Sequence, residues 1–259
     1  MLILYFSATG NNLYVSKQLG DNLYSIPKAV KENQFTFSDE KIGLIFPIYE
    51  LGVPKYIEEF LNKVQLESDY IFSIMTYGMF SGLAASQLRE IGKRNHINFS
   101  YINEVLMVDN YLPVYDMEKQ IATQDKKEID RQISEIKKDI ASNKIYIKKD
   151  SFVAKLLTNI AIKFRFPKRD KELGVYRQSF DNAFMIEENC IGCGICCKVC
   201  PVNNIDLTDN KPVFKNNCIG CLACTHNCPQ NAIRVNKEKS KVRFRNEHIC
   251  LKEIIESNY

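Results

Sequence analysis

Along the first half of the chain, apolar positions gather in short runs separated by stretches with helical spacing. Leu2 to Phe6, Ile42 to Pro47 and Tyr70 to Thr76 each have the length of a strand buried on both faces. Between them, Asn12 to Leu23, Pro54 to Val64 and Leu83 to Asn95 have helical character, and Ser100 to Val108 predicts a fourth strand. Ile129, Ile133, Ile136 and Ile140 then follow i, i+4, i+7 and i+11, one face of an amphipathic helix. Strands alternating with helices predict an α/β fold on a doubly wound parallel sheet. Ligands of such sheets bind beyond the carboxyl ends of the strands, near a switch point.

The second half carries a different signal. Cys190, Cys193, Cys196 and Cys200, followed by Pro201, are repeated as Cys218, Cys221, Cys224 and Cys228, followed by Pro229. This is the ligand spacing of a bacterial ferredoxin with two [4Fe–4S] clusters. The repeat extends to Asn189/Asn217, Ile191/Ile219, Gly192/Gly220 and Ile205/Ile233, all 28 positions apart, so two copies of one unit are expected to pack about a pseudo-twofold axis. A cubane needs four converging thiolates, three from one tight loop and the fourth from the other copy. One set is therefore Cys190, Cys193, Cys196 and Cys228; the other is Cys218, Cys221, Cys224 and Cys200.

Other cysteine chemistries fit less well. Zinc ribbons use two widely spaced pairs, and a thioredoxin-type pair is not duplicated. Disulfides suit secreted domains, whereas Met1 to Phe6 reads as a strand running into a turn rather than as a secretory signal. Cys197 has Thr225 as its repeat counterpart, and with Cys250 it reads as a small buried thiol. His226, between two ligands, reads as a neighbour of the cluster or a surface residue rather than a ligand.

Composition narrows the rest. With 259 residues, 45% of them hydrophobic, the chain suffices for one medium domain and one small one. Eight of ten cysteines lie in the two runs, which fits a reducing cytoplasm. The longest apolar stretch, Phe152 to Phe164, is too short to span a membrane and holds Lys155 and Lys163; Ser151 would cap a helix there. A net charge of +4 does not point to nucleic acid. Basic residues do concentrate between Lys144 and Arg177, either as a docking collar for an acidic partner or as a solvated linker.

The first strand ends in Ser7-Ala8-Thr9-Gly10-Asn11-Asn12, directly before a helix. Hydroxyls, a glycine and free N–H groups at a helix start make a phosphate cradle, although an ordinary helix cap is the alternative. Tyr5 to Asn11 resembles the flavodoxin phosphate loop. Two further loops, Pro47-Ile48-Tyr49-Glu50-Leu51-Gly52-Val53-Pro54 and Thr76-Tyr77-Gly78-Met79-Phe80-Ser81-Gly82, fall where flavodoxins sandwich the flavin ring. Asn12 stands where flavodoxins usually have threonine, and there is no tryptophan, so Tyr49, Tyr77, Met79 and Phe80 all remain candidates for stacking.

Nearly the whole chain resembles a family found largely in anaerobes, flavodoxin fused to a two-cluster ferredoxin and called ferrodoxins; the ending Val242 to Asn246 and Leu251 to Ile255 is part of the likeness. The resemblance implies a flavodoxin-like sheet with a small α+β ferredoxin domain, FMN as well as two [4Fe–4S] clusters, and redox partner proteins. The expected boundaries are 1–148 for the FMN domain, 149–180 for a basic helical connector, 181–236 for the ferredoxin domain and 237–259 for the tail. FMN would be held by Ser7, Thr9, Gly10, Asn11, Asn12, Pro47, Ile48, Tyr49, Gly52, Thr76, Tyr77, Gly78 and Gly82. Three function classes follow: an electron carrier, which is favoured; a flavin-dependent reductase of a small molecule; and a redox or iron sensor. His96 and His248 lie in ordinary polar settings and suggest no acid–base pair.

Overall fold

The structure is a computed structural model and describes residues 1–150, 158 and 180–258. The stretch Phe152 to Phe164, and with it most of the basic segment, lies outside the described residues apart from Thr158.

A six-stranded parallel sheet organises the amino-terminal part. Its strands are β1 (Leu2–Tyr5), β2 (Asn22–Ser25), β4 (Lys41–Pro47), β6 (Tyr70–Tyr77), β7 (Phe99–Leu106) and the short β8 (Tyr146–Ile147), in the order β2-β1-β4-β6-β7-β8. A separate parallel pair, β3 (Thr36–Ser38) with β5 (Gln65–Glu67), lies apart from this sheet. Because β1 has β2 on one side and β4 on the other, the chain reverses its direction of winding there, and the switch point lies at the carboxyl ends of β1 and β4.

Helices cover both faces. Ile3, Tyr5, Ile45, Phe72 and Ile74 point to one side, where α1 (Asn11–Leu19) and α6 (Ile129–Ala141) supply Leu13, Val15, Ile133, Ile136 and Ile140. Leu2, Leu4, Phe6, Leu44 and Phe46 point to the other. There α2 (Ile26–Lys31), α3 (Lys55–Leu61) and α4 (Ala84–Arg94) bury Ile26, Ile57, Phe60 and Leu88. The alternation of side chains along each strand thus feeds two apolar layers from runs that look continuously hydrophobic.

The expected helix from Asn12 to Leu23 is divided. It ends at Leu19, Gly20 is extended, and β2 follows at once. Leu19 and Leu23 are four apart and mimic a helical stripe, which concealed the break. Ser25 then caps α2, accepting from Lys28 N–H with Pro27 in the first turn.

The cysteine-bearing part is small and two-fold repetitive. Strand β9 (Phe184–Ile186) pairs antiparallel with β12 (Ile233–Val235), and β10 (Ile205–Thr208) pairs with β11 (Lys211–Phe214). Two single-turn helices, α7 (Ile195–Lys198) and α8 (Ala223–His226), stand 28 residues apart like the cysteines. Both follow a left-handed residue, Gly194 in one copy and Leu222 in the other. The tail ends in α9 (Leu251–Asn258), which packs on α2 and α7. Cys196, Val199, Cys200, Ala223 and Cys224 belong to the same buried cluster as Ile3 and Tyr5, so the core runs unbroken from the sheet into the cysteine-bearing part.

Candidate functional site

Two cavities are centred on the cysteines. One is lined by Cys190, Cys193, Cys196 and Cys228. The other is lined by Cys200, Cys218, Cys221 and Cys224. Each therefore takes three sulfurs from one run and one from the other, the arrangement that the repeat predicts. Among the described residues, no three His, Cys, Asp or Glu side chains are close enough to hold a single metal ion. Four cysteines grouped three and one match the ligand set of a [4Fe–4S] core.

The local backbone explains the sets. Gly192, Gly194 and Gly220 all have positive φ; a Cβ on Gly192 would lie 2.7 Å from Asn210 Cβ, so the loop has room only for glycine there. The fourth cysteine of each run is held alike: Asn204 N–H donates to Cys200 Sγ (3.2 Å) and Ala232 N–H to Cys228 Sγ (3.3 Å). Gly220 N–H donates to Cys218 Sγ at 3.4 Å. Such N–H to sulfur bonds favour thiolate and shift cluster potentials. Asp181, itself buried, accepts from Asn204 Nδ2 and from Cys218 N–H, tying the two runs together.

Burial pushes the thiols of Cys196 and Cys218 up to about 12, and drives those of Cys221 and Cys224 higher still. Thiolates here call for a compensating cation, which an iron–sulfur core supplies. The two sets differ in access. Cys193 is exposed, and Ile191 and Leu207, which line the first cavity, are 63% and 39% exposed. The second cavity faces the sheet: Cys221 and Ile219 pack against the layer that contains Phe6 and Phe46. The Tyr49 hydroxyl is driven well above its usual range, first by burial and then by the Cys221 and Cys218 sulfurs.

The three loops at the sheet's carboxyl edge meet one another. Thr76 Oγ1 donates to Asn12 Oδ1 (2.9 Å), and Ile48 N–H donates to Thr76 O (2.8 Å), joining the first loop to the ends of β6 and β4. Tyr49 and Gly52 exchange two backbone bonds, and Leu83 N–H donates to Leu51 O. Gly82 lies so close to Leu51 that a Cβ would be 2.3 Å from its carbonyl oxygen, and Gly78 is pressed against Asp109. Tyr49 meets Phe6 edge-on at 6.4 Å, Tyr77 is half-buried, and Met79 is 62% exposed with Tyr115 Oη 3.8 Å from its sulfur.

Ser7, Thr9, Asn11 and Asn12 are all buried. Ser7 Oγ accepts from Gly10 N–H, and Thr9 Oγ1 accepts from Asn110 Nδ2, so each hydroxyl proton remains to be donated. The buried start of α1 has no side-chain cap at Gly10. Hydroxyl protons and first-turn N–H groups collected at one point form a donor set that fits a phosphate.

Several residues at this junction were not legible in the sequence. His226 is buried and bridges two segments: its Nδ1 accepts from Phe244 N–H (3.0 Å), so Nε2 carries the proton and donates to Asn110 O (2.8 Å). With both ring nitrogens engaged, it stands beside the cysteines without joining them, and burial lowers it to about 4. Asn227, Asn246, Asn258 and Lys31 also join the two parts, Lys31 reaching Cys200 O and Asn258 O. Cys250 departs from expectation. It is exposed at the start of α9, where Glu253 accepts from its N–H. Cys197 is half-buried, while His96 and His248 are exposed.

A family model described as a 4Fe-4S dicluster domain matches residues 165–247. No curated protein matches the chain. No helix among the described residues is long and apolar enough to cross a membrane. The carboxyl-terminal region is thus similar to 4Fe-4S dicluster domains and carries the mark of iron–sulfur electron transfer, beside a six-stranded parallel sheet.

Proposed function

We propose that the chain is an electron-transfer protein holding two [4Fe–4S] clusters and one FMN, and that it links one-electron and two-electron redox partners. The observation that carries this reading is the pair of cavities, each lined by three cysteines of one run and the fourth of the other. The strand order supports a flavodoxin-like sheet: numbered within the sheet alone, its first five strands run 2-1-3-4-5. Clusters exchange single electrons, and a flavin takes one or two, so a chain with both converts between the two kinds of chemistry.

The residues divide the work. Cys190, Cys193, Cys196 and Cys228 hold the outer cluster, beside the exposed Ile191 and Leu207 on which a partner protein docks. Cys200, Cys218, Cys221 and Cys224 hold the inner cluster against the sheet, with Tyr49 in between. Ser7, Thr9, Gly10, Asn11 and Asn12 receive the phosphate of FMN through hydroxyl and amide protons. Pro47, Ile48, Tyr49 and Gly52 flank the ring on one side, and Thr76, Tyr77, Gly78 and Gly82 on the other. The shared apolar core packs the inner cysteines directly against the sheet, which keeps the route for electrons short.

Flavin analysis tests the reading. Anaerobically purified protein releases about one FMN per chain on acid treatment, or takes it up from solution. Failure to bind FMN, even in excess, would leave a ferredoxin with a large docking domain and end the flavoprotein reading.

A further inference from the structure

The Ser7–Asn12 loop is gripped from outside the sheet, on its carbonyl side. Asn258 Nδ2 donates to Ser7 O (3.3 Å), Asn227 Nδ2 to Ala8 O (3.2 Å), and Asn246 N–H to Thr9 O (2.8 Å). Three consecutive carbonyls are thus fixed by three asparagines from distant segments. A trans peptide is planar, so its C=O and the next N–H point in opposite directions. Pinning these carbonyls toward the tail and the cysteine-bearing part turns the N–H groups of Ala8 and Thr9 to the other side of the loop, while Gly10 N–H donates to Ser7 Oγ.

Asn227 differs from the other two in its position. It lies between Cys224 and Cys228, which line different cavities, and its amide also donates to Ala223 O (2.9 Å) at the start of α8. His226 adds a second strut from the same turn, through Asn110 to Thr9 Oγ1. Anything that sets the position of α8 therefore sets the phosphate loop.

We infer that Asn227 is a positioning residue that couples the two cofactor systems: filled cluster sites hold α8 and Asn227 in place and thereby raise the affinity of the Ser7–Asn12 loop for the phosphate of FMN. This rests on the flavoprotein reading above. Coupling of this kind is reciprocal, so bound FMN also stabilises the filled cluster sites.

The test compares FMN with riboflavin, which lacks the phosphate, in full-length cluster-loaded wild type and Asn227→Ala of equal iron content, titrated by flavin fluorescence. The variant is expected to bind FMN about tenfold more weakly, the scale of one buried hydrogen bond, and riboflavin unchanged. Chelator-stripped wild type is expected to lose at least about fivefold in FMN affinity, and stripping the variant should add little. Equal weakening of both flavins would indicate a general packing defect and overturn the inference, as would an unchanged FMN affinity. Should Asn227→Ala fail to accumulate, stripping the wild type decides alone, and unchanged FMN affinity overturns the coupling. If the wild type binds neither flavin, the flavoprotein reading fails and the coupling with it.

Discussion

Asp109 is a carboxyl placed at a cost, and replacing it measures that cost. Its side chain is wedged against Gly78, where a Cβ would lie 2.1 Å from Asp109 Cβ. Burial pushes the carboxyl up from 3.8 to about 6, with Tyr111 N–H, Lys127 and Tyr115 offsetting part of the effect. The unfolded chain therefore releases this proton first as pH rises. Between about pH 4 and 6 the native state holds more protons, so stability falls with rising pH, and the whole penalty persists above 6. About two pH units correspond to a ceiling of about 3 kcal/mol, and partial exposure reduces this to about 1–2 kcal/mol. Asp109→Asn removes the charge and keeps the oxygen that accepts from Tyr111 N–H (3.1 Å). Anaerobic thermal melts should show the variant stabilised by about 1–2 kcal/mol at pH 7.5 and by about half as much at pH 5. An equal gain at both pH values, or a loss at pH 7.5, would refute the assignment of the penalty to ionisation.

Gly10→Ala should destabilise the fold by about 2–3 kcal/mol in the same melts, since φ is +97° and a Cβ would lie 3.0 Å from both Asn246 Cβ and Ile249 Cβ; an unchanged midpoint would mean that the tail does not pack on the loop. Tyr5→Phe removes a buried bond to Ser257 Oγ (2.8 Å) and should cost about 1 kcal/mol, because Ser257 still donates to Glu253 O. Pairs of cysteine variants test the sets: Cys193→Ser with Cys228→Ser should lose about half the iron, whereas Cys193→Ser with Cys200→Ser should lose nearly all of it. Equal losses from the two pairs would contradict the crossed assignment.

The parts of the molecule written in local pattern were legible in the sequence. Continuous runs gave β1, β4 and β6, and the spacing of Ile129, Ile133, Ile136 and Ile140 gave α6. Three of these isoleucines are buried against the sheet, and Ile129 packs partly buried beside them. The 28-residue repeat anticipated which cysteines share a cavity, because the three-plus-one grouping is encoded in the spacing itself. What escaped was either ambiguous or remote. The break at Gly20 is masked by Leu19 and Leu23 in helical register, which hides β2 and α2. The grip on the phosphate loop joins Asn227 to Ala8 across 219 positions and Asn258 to Ser7 across 251. No periodicity or motif links residues so far apart, and asparagines in a tail read as ordinary polar surface. Cys250 is exposed for a related reason: a lone cysteine carries no directional signal, and only the packing of α9 decides which face it occupies.

The most direct measurement is the iron and acid-labile sulfide content of the anaerobically purified full-length chain. Two [4Fe–4S] clusters predict about eight of each per chain. Bound zinc, or iron without labile sulfide, would contradict the account at its centre.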